Sequence, residues 1–414
     1  MKRMKLTEDW TATFMGWLII LLIVMQFKPI WPKFKWGDAD MLWNKVFAMD
    51  NILHVAYVFV FMFVFVLLAG WISGKKPKSL LVGFPVIYIL TFMALVIGGN
   101  KFLNSWGFET VIFSLLIGLF ISNIFDVPEW LRSSLSSELF VKIGLVIMGT
   151  NVLFGDVLKS GSLGLLQAIV VILAVWNFCF WLCKRLKVDR DMAAILSSAV
   201  SICGVSAAIA TAGAVSGDKK KLSYAVSLVM VVAVPRIVIM PLLSHWLGLS
   251  ETLAGAWIGG TIDTTGAVAA TGQIYGEEAL KTSAIVKFSQ NVLLGVAAFV
   301  ISVYWAYKGK NEREAGTRPT LKTIWIRFPK FVIGFIISSL IFSFFVDASI
   351  VSETKPILKN IQGMWFALAF MSIGLETNFR SLITSENKRS TLAFVGAQIF
   401  NIFFTLLVAY IIFG

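Results

Sequence analysis

The chain has 414 residues, 58% hydrophobic and 14% charged, with a mean hydropathy of +0.83. A soluble domain carries about 25% charged residues, so a water-soluble enzyme, a disordered tail and a disulfide scaffold are excluded, and a polytopic helical membrane protein remains. The excess of 36 basic over 23 acidic residues, +13, falls largely between apolar runs, which suits loop charges that set topology and meet anionic lipid rather than nucleic acid.

Apolar stretches near membrane-spanning length recur about thirteen times. They cover roughly 11–28, 52–73, 79–98, 109–125, 138–158, 161–184, 192–216, 222–248, 252–272, 279–307, 323–346, 357–378 and 390–413. None alternates with period two, so a β-barrel is excluded. The first run, Thr11–Phe27, is too long and lacks a small-residue exit for a cleavable signal. Between the first two runs lies a stretch with Trp31, Trp36 and Trp43, suited to headgroup level. The Phe-rich run Phe59–Phe65 reads as lipid-facing surface, and Lys308–Lys322 is the longest polar linker. The loop charges place the amino terminus in the cytoplasm and the carboxy terminus outside.

Residues 109–248 set against 252–413 match five helices to five. Ser201-Ile202-Cys203-Gly204 aligns with Ser372-Ile373-Gly374-Leu375, and Val141-Lys142-Ile143 with Val286-Lys287-Phe288. An odd number of helices per repeat gives the two repeats opposite orientations, as carriers often use. The expected division is therefore 1–108 as extra amino-terminal spans, 109–248 as one repeat and 252–413 as the other, with the polar linker at 308–322 inside the second.

Ser201–Thr211 crowds small and hydroxylated residues into an apolar span. Such a stretch either unwinds to expose backbone to a ligand, with a half-helix aiming its positive end at an anion, or lets helices pack closely. Asp263 sits among Thr261, Thr264 and Thr265 near mid-span. A carboxylate at that depth marks a sodium or proton site, or pairs with a buried cation. That cation is Arg236, after Pro235, too central to snorkel. It pairs with Asp263 or Glu376, or holds an anion. Lys287 and Asn291 share a face at i, i+4 spacing and could reach the same cavity; Lys142 takes the equivalent place in the first repeat, and either lysine could instead snorkel. Asn123, Glu376 and Asn378 end their spans and could be ordinary interfacial residues.

Three cysteines make no framework, and Cys179 and Cys183 read as buried thiols. Two histidines, His54 and His245, leave zinc and a histidine triad without ligands. No phosphate-cradling or nicotinamide fingerprint occurs, so a gradient-driven carrier is expected rather than a pump or an enzyme, with neither metal nor cofactor beyond a coupling ion.

Ser-Ile-Cys-Gly-Val-Ser-Ala-Ala (201–208), Tyr224-Ala225-Val226, Pro241–His245, Gly-Gly-Thr-Ile (259–262), Ile285-Val286-Lys287 and Ile373–Thr377 together resemble the bacterial sulfate exporter family. The likeness covers about 109–413, and that family is similar to the cation/proton antiporter and anion transporter superfamily. The resemblance implies an all-α fold of two inverted five-helix repeats with crossing discontinuous helices centred at Ser201–Ser206 and Ser372–Glu376, plus about three extra amino-terminal spans. It also implies a homodimer in the inner membrane. This chain departs from the family at Asp263, Thr264 and Ala267, at Gln290 where the family has arginine, and at Arg236 where it has an apolar residue. The expected activity is secondary transport of a small anion, sulfate or a related sulfonate or carboxylate, with a sodium/proton exchanger as the alternative. Substrate would be held by Ser201, Cys203, Gly204, Ser206, Arg236, Lys287, Ser372, Gly374 and Glu376. Asp263, Thr261, Thr264 and Asn291 would handle the coupling proton or sodium ion.

Overall fold

The computed structural model describes residues 6–74, 77–105, 110–215, 219–308, 321–378 and 388–414. Most of the linker 308–322 lies outside them. Among the described residues the fold is helical, and the strand-like pairing is an isolated bridge between Trp36 and Asn100. The principal helices are α1 (Glu8–Val24), α2 (Met49–Ser73), α3 (Pro77–Gly98), α4 (Thr110–Ile124), α5 (Ser137–Met148) and α6 (Phe154–Arg185). After them come α7 (Arg190–Ser198), α8 (Gly204–Ala214), α9 (Lys219–Trp246), α10 (Glu251–Thr261), α11 (Thr265–Tyr275) and α12 (Glu277–Lys308). The series ends with α13 (Lys330–Phe344), α14 (Ala348–Glu376) and α15 (Lys388–Phe413).

Seven helical stretches among the described residues are long and apolar enough to cross a membrane, α7 and α8 counting as one. The protein is therefore a multi-pass membrane protein. Thirteen spans were expected, and three of the stretches not among the seven differ for local reasons. The stretch 252–272 is split into α10 and α11, and the apolar helices Ile112–Ile124 and Lys330–Phe344 are short.

The chain forms two compact units, Met1–Val157 with Lys330–Asn378, and Leu158–Pro329 with Phe379–Gly414. Each unit draws on both halves of the sequence.

In the first unit α4 and α14 meet backbone to backbone. A Cβ at Gly118 would lie 2.6 Å from the Met371 carbonyl oxygen, and one at Gly374 would lie 2.5 Å from that of Leu115. Only glycine permits that approach. Ser122 Oγ donates to the carbonyls of Gly374 (2.8 Å) and Thr377 (2.7 Å), and Asn123 Nδ2 donates to Thr377 (3.1 Å). The Phe-rich run is not wholly lipid-facing: Phe61 and Phe65 are buried, and Phe59 and Phe63 stack on Phe84. Lys142 is held by carboxylates. It pairs with Glu8 (2.8 Å), Asp9 (3.1 Å) and Glu138 (3.5 Å), drawing the start of α1 onto α5.

In the second unit two helices are interrupted midway. Asp189 caps α7 by accepting from the Met192 N–H (3.2 Å), but the helix widens to i→i+5 pairing over Ala199–Cys203 and stops at Gly204. Gly204 has φ +29°, and a Cβ there would lie 2.7 Å from Val229 Cγ1; glycine is what lets the chain turn. Ser250 caps α10, which ends at Thr261; after extended backbone at Ile262, Thr264 caps α11 through the Ala267 N–H. Stretch 190–214 is the most deeply buried of the seven.

Candidate functional site

Breaking a helix inside an apolar protein releases carbonyl oxygens that must find donors, because an unpaired buried one costs about 1–3 kcal/mol. The second unit supplies them from three helices. From α12, Gln290 Nε2 donates to the Ser201 carbonyl (2.9 Å) and, at 3.4 Å, to that of Gly260. From α15, Asn401 Nδ2 donates to Val200 (3.3 Å) and Thr261 (3.1 Å), with its own Oδ1 held by Thr405 Oγ1 (2.7 Å). Two amides thus each tie one break to the other. Lys287 Nζ donates to the Ile202 carbonyl (2.6 Å) and to Gln290 Oε1 (2.7 Å).

From α9, Arg236 fans out over the second break. Its Nη1 donates to the Thr261 carbonyl (3.1 Å) and Gln398 Oε1 (2.7 Å), its Nε to Val232 (3.2 Å), and its Nη2 to Asp263 Oδ2 (2.5 Å). Gln398 Nε2 donates to the same Asp263 oxygen (2.6 Å). Of the two carboxylates weighed as partners for Arg236, Asp263 is the one it pairs with. The two breaks abut there: a Cβ on Gly204 would sit 3.2 Å from Asp263 Cβ.

Arg236, Asp263 and Lys287 are 5%, 2% and 1% exposed, and they are the buried charges among the described residues of this unit. Their formal sum is two positive and one negative. Arg236 and Asp263 offset each other directly, whereas the partners of Lys287 are neutral oxygens. A buried cation with no carboxylate at ion-pair distance is costly and rarely kept without use.

Exposure differs from residue to residue along the first break. Cys203 is half-buried and Ser206 exposed, while Ser201 is buried with its hydroxyl donating to Ser197 (2.7 Å). Cys203, at the amino-terminal edge of α8, makes no side-chain cap, so its side chain does not offset the positive end of that helix. Thr261 Oγ1, Asn291 Oδ1 and Gln167 Oε1 are buried acceptors without partners; Asn291 Nδ2 donates to Thr265 Oγ1 (3.2 Å).

Three expected substrate residues lie in the other unit. α14 runs unbroken through Ser372 and Gly374 to Glu376, so the discontinuous helix expected at 372–376 is corrected to a helix end. Ser372 donates back to Leu368 (2.8 Å), Gly374 is the close approach to α4, and Glu376 accepts from Ser137 Oγ (2.6 Å). Their small-residue pattern serves packing. Gln398 and Asn401 were overlooked, although Gln398, Asn401 and Thr405 recur at i, i+3, i+7 in an apolar run, the spacing of one helix face. Among the described residues no cluster of three histidine, cysteine or acidic side chains could hold a metal ion.

Comparison with known proteins follows the membrane character. A family model described as conserved hypothetical protein 698 matches residues 82–393. A UPF0324 membrane protein of Rhodopirellula baltica is 38% identical over 88% of this chain and 68% of its own length. One from Nitratidesulfovibrio vulgaris is 37% identical over 82% of this chain and 60% of its own length, so the chain spans about two thirds of these relatives. A UPF0324 membrane protein of Nitrosomonas europaea is 29% identical, with 91% and 89% covered. No solved structure matches.

Proposed function

Because the chain belongs to the conserved hypothetical protein 698 family, whose relatives above are named simply as membrane proteins, we propose from its own geometry that it is a secondary carrier of a small anion. The anion is sulfate or a related sulfonate or carboxylate, moved by alternating access. The observation that carries this reading is the surplus positive charge where two interrupted helices meet, beside the uncapped amino-terminal end of α8. Helix amino termini and buried cations recognise anions by the same field.

In this reading the anion lies against the first turn of α8, near Cys203, Gly204 and Ser206, and is neutralised by Lys287 and Arg236. Asp263 is the internal counter-ion to Arg236. Freeing it from Arg236 as substrate arrives makes occupancy and rearrangement one event. Thr264 is assigned to the cap of α11. Inverted repeats, a homodimer and a bacterial inner-membrane location complete the proposal. A sodium/proton exchanger on the same scaffold is less well supported, because two cations beside Asp263 oppose entry of a third.

Uptake of labelled sulfate and of labelled methanesulfonate into proteoliposomes, with pH and sodium gradients imposed separately, tests the proposal. Saturable flux of at least one anion, driven by a gradient and lost in Arg236→Gln, is the expected result. Dissipation of a pH gradient by sodium with no anion flux would transfer the assignment to the exchanger.

A further inference from the structure

The buried charges among the described residues of the second unit are few enough to count, and each has identified neighbours. Arg236 faces Asp263 at ion-pair distance, and Gln398 completes that pair by donating to one member and accepting from the other. Lys287 remains, held by the Ile202 carbonyl and the amide oxygen of Gln290. The fourth buried charge among the described residues, Lys330, belongs to the first unit. The neutral donors nearby are already engaged: Gln290 and Asn401 spend their amide hydrogens on carbonyls released by the breaks.

We infer that the site is matched to a single negative charge, so that it takes a monoanion such as a sulfonate and discriminates against a dianion such as sulfate. The inference rests on the carrier reading and narrows it. One negative charge brought to this site offsets Lys287 and leaves the buried cluster neutral. A dianion leaves one uncompensated negative charge in an apolar interior, where such a charge is strongly disfavoured. Asp263 sets the preference. With its charge removed, the cluster carries two positive charges, and a dianion becomes the better match. Asp263 is thus the specificity-determining residue, acting by charge without contacting the substrate.

Cys203 supplies a built-in reporter, because it is half-buried at the break while Cys179 and Cys183 are buried. The experiment measures maleimide labelling of the full-length protein in detergent at pH 7.5, with methanesulfonate or sulfate as protecting anion at constant ionic strength. The expected result is half-protection by methanesulfonate at a concentration about tenfold or more below that for sulfate. The order reverses in Asp263→Asn. Lys287→Arg keeps the wild-type order, whereas Lys287→Gln loses protection by both anions. Equal or better protection by sulfate in the unaltered protein overturns the inference without any variant having to fold, and leaves the carrier reading standing. An unchanged ratio in folded Asp263→Asn overturns it as well. Absence of protection by either anion, together with absence of flux, removes the carrier reading and the inference with it.

Discussion

Two lysines in corresponding sequence settings, Lys142 in Val-Lys-Ile and Lys287 in Val-Lys-Phe, end in opposite electrostatic circumstances. Lys142 is surrounded by three carboxylates in the first unit; Lys287 has a carbonyl and an amide in the second. The same contrast separates the two Ser-Ile-containing segments. Ser372–Gly374 lies in an unbroken helix pressed against α4, whereas Ser201–Gly204 lies where a helix opens. Small residues permit both outcomes. What differs is where the donors fall: α12 and α15 bring amides to carbonyls in the middle of a stretch, whereas α4 presses its backbone on Gly374 and its donors Ser122 and Asn123 meet the end of α14.

Arg236→Gln should produce the largest effect on that contrast, since it leaves Asp263 buried and unpaired. A loss of about 3–5 kcal/mol is expected, read as a large fall in thermal stability in detergent. Asp263→Asn in the same chain should recover a good part of it; a double variant no more stable than the single one would detach the pair from the fold. Gly374→Ala, which drives a methyl into the α4 backbone, should cost roughly 1–3 kcal/mol. Gly204→Ala should cost a similar amount and also abolish anion flux, because it strains the break as well as the packing. Equal stability losses with flux kept in Gly204→Ala would mean that the break is merely structural.

Lys142→Met should cost about 1 kcal/mol or less, because its acidic partners are partly solvated. An effect as large as that of Arg236→Gln would erase the distinction between the two units. The smallest change is expected at Asp189, which caps α7 and pairs with Lys221. Partial burial pushes its carboxyl up, but the Lys221 ammonium and the Met192 N–H outweigh this and hold it below the ordinary range. A depressed folded pKa gives stability that is present above the unfolded value and lost as pH falls through the folded one. Asp189→Ala should therefore cost roughly 0.5–1 kcal/mol near neutrality, and the gap to the unaltered protein should narrow below about pH 4.

Much of the second unit was legible in the sequence. Pro235-Arg236 and Asp263 stood out because charge is expensive in an apolar run, and Gly204 marked the first break correctly. The second break was misplaced because Ser372–Gly374 and Ile262–Thr264 carry similar small and polar residues, and composition does not reveal which carbonyls find donors. The pairing of Arg236 with Asp263 rather than Glu376 is a tertiary choice, invisible to spacing. Gln398, Asn401 and Thr405 were within reach of helical periodicity, but uncharged polar residues attract less notice than ionised ones.

The uneven count of buried charges also has an electrical side. On the proposed cycle, a carrier returning empty displaces one positive charge through the membrane field, while a carrier loaded with a monoanion displaces none. Voltage would then act on the return stroke alone, by up to about 2.3 kcal/mol per 100 mV for a full crossing. Current relaxations recorded without substrate should follow voltage, and saturating monoanion should silence them. The membrane potential would thereby set how quickly the empty site comes back, and leave the loaded step indifferent to it.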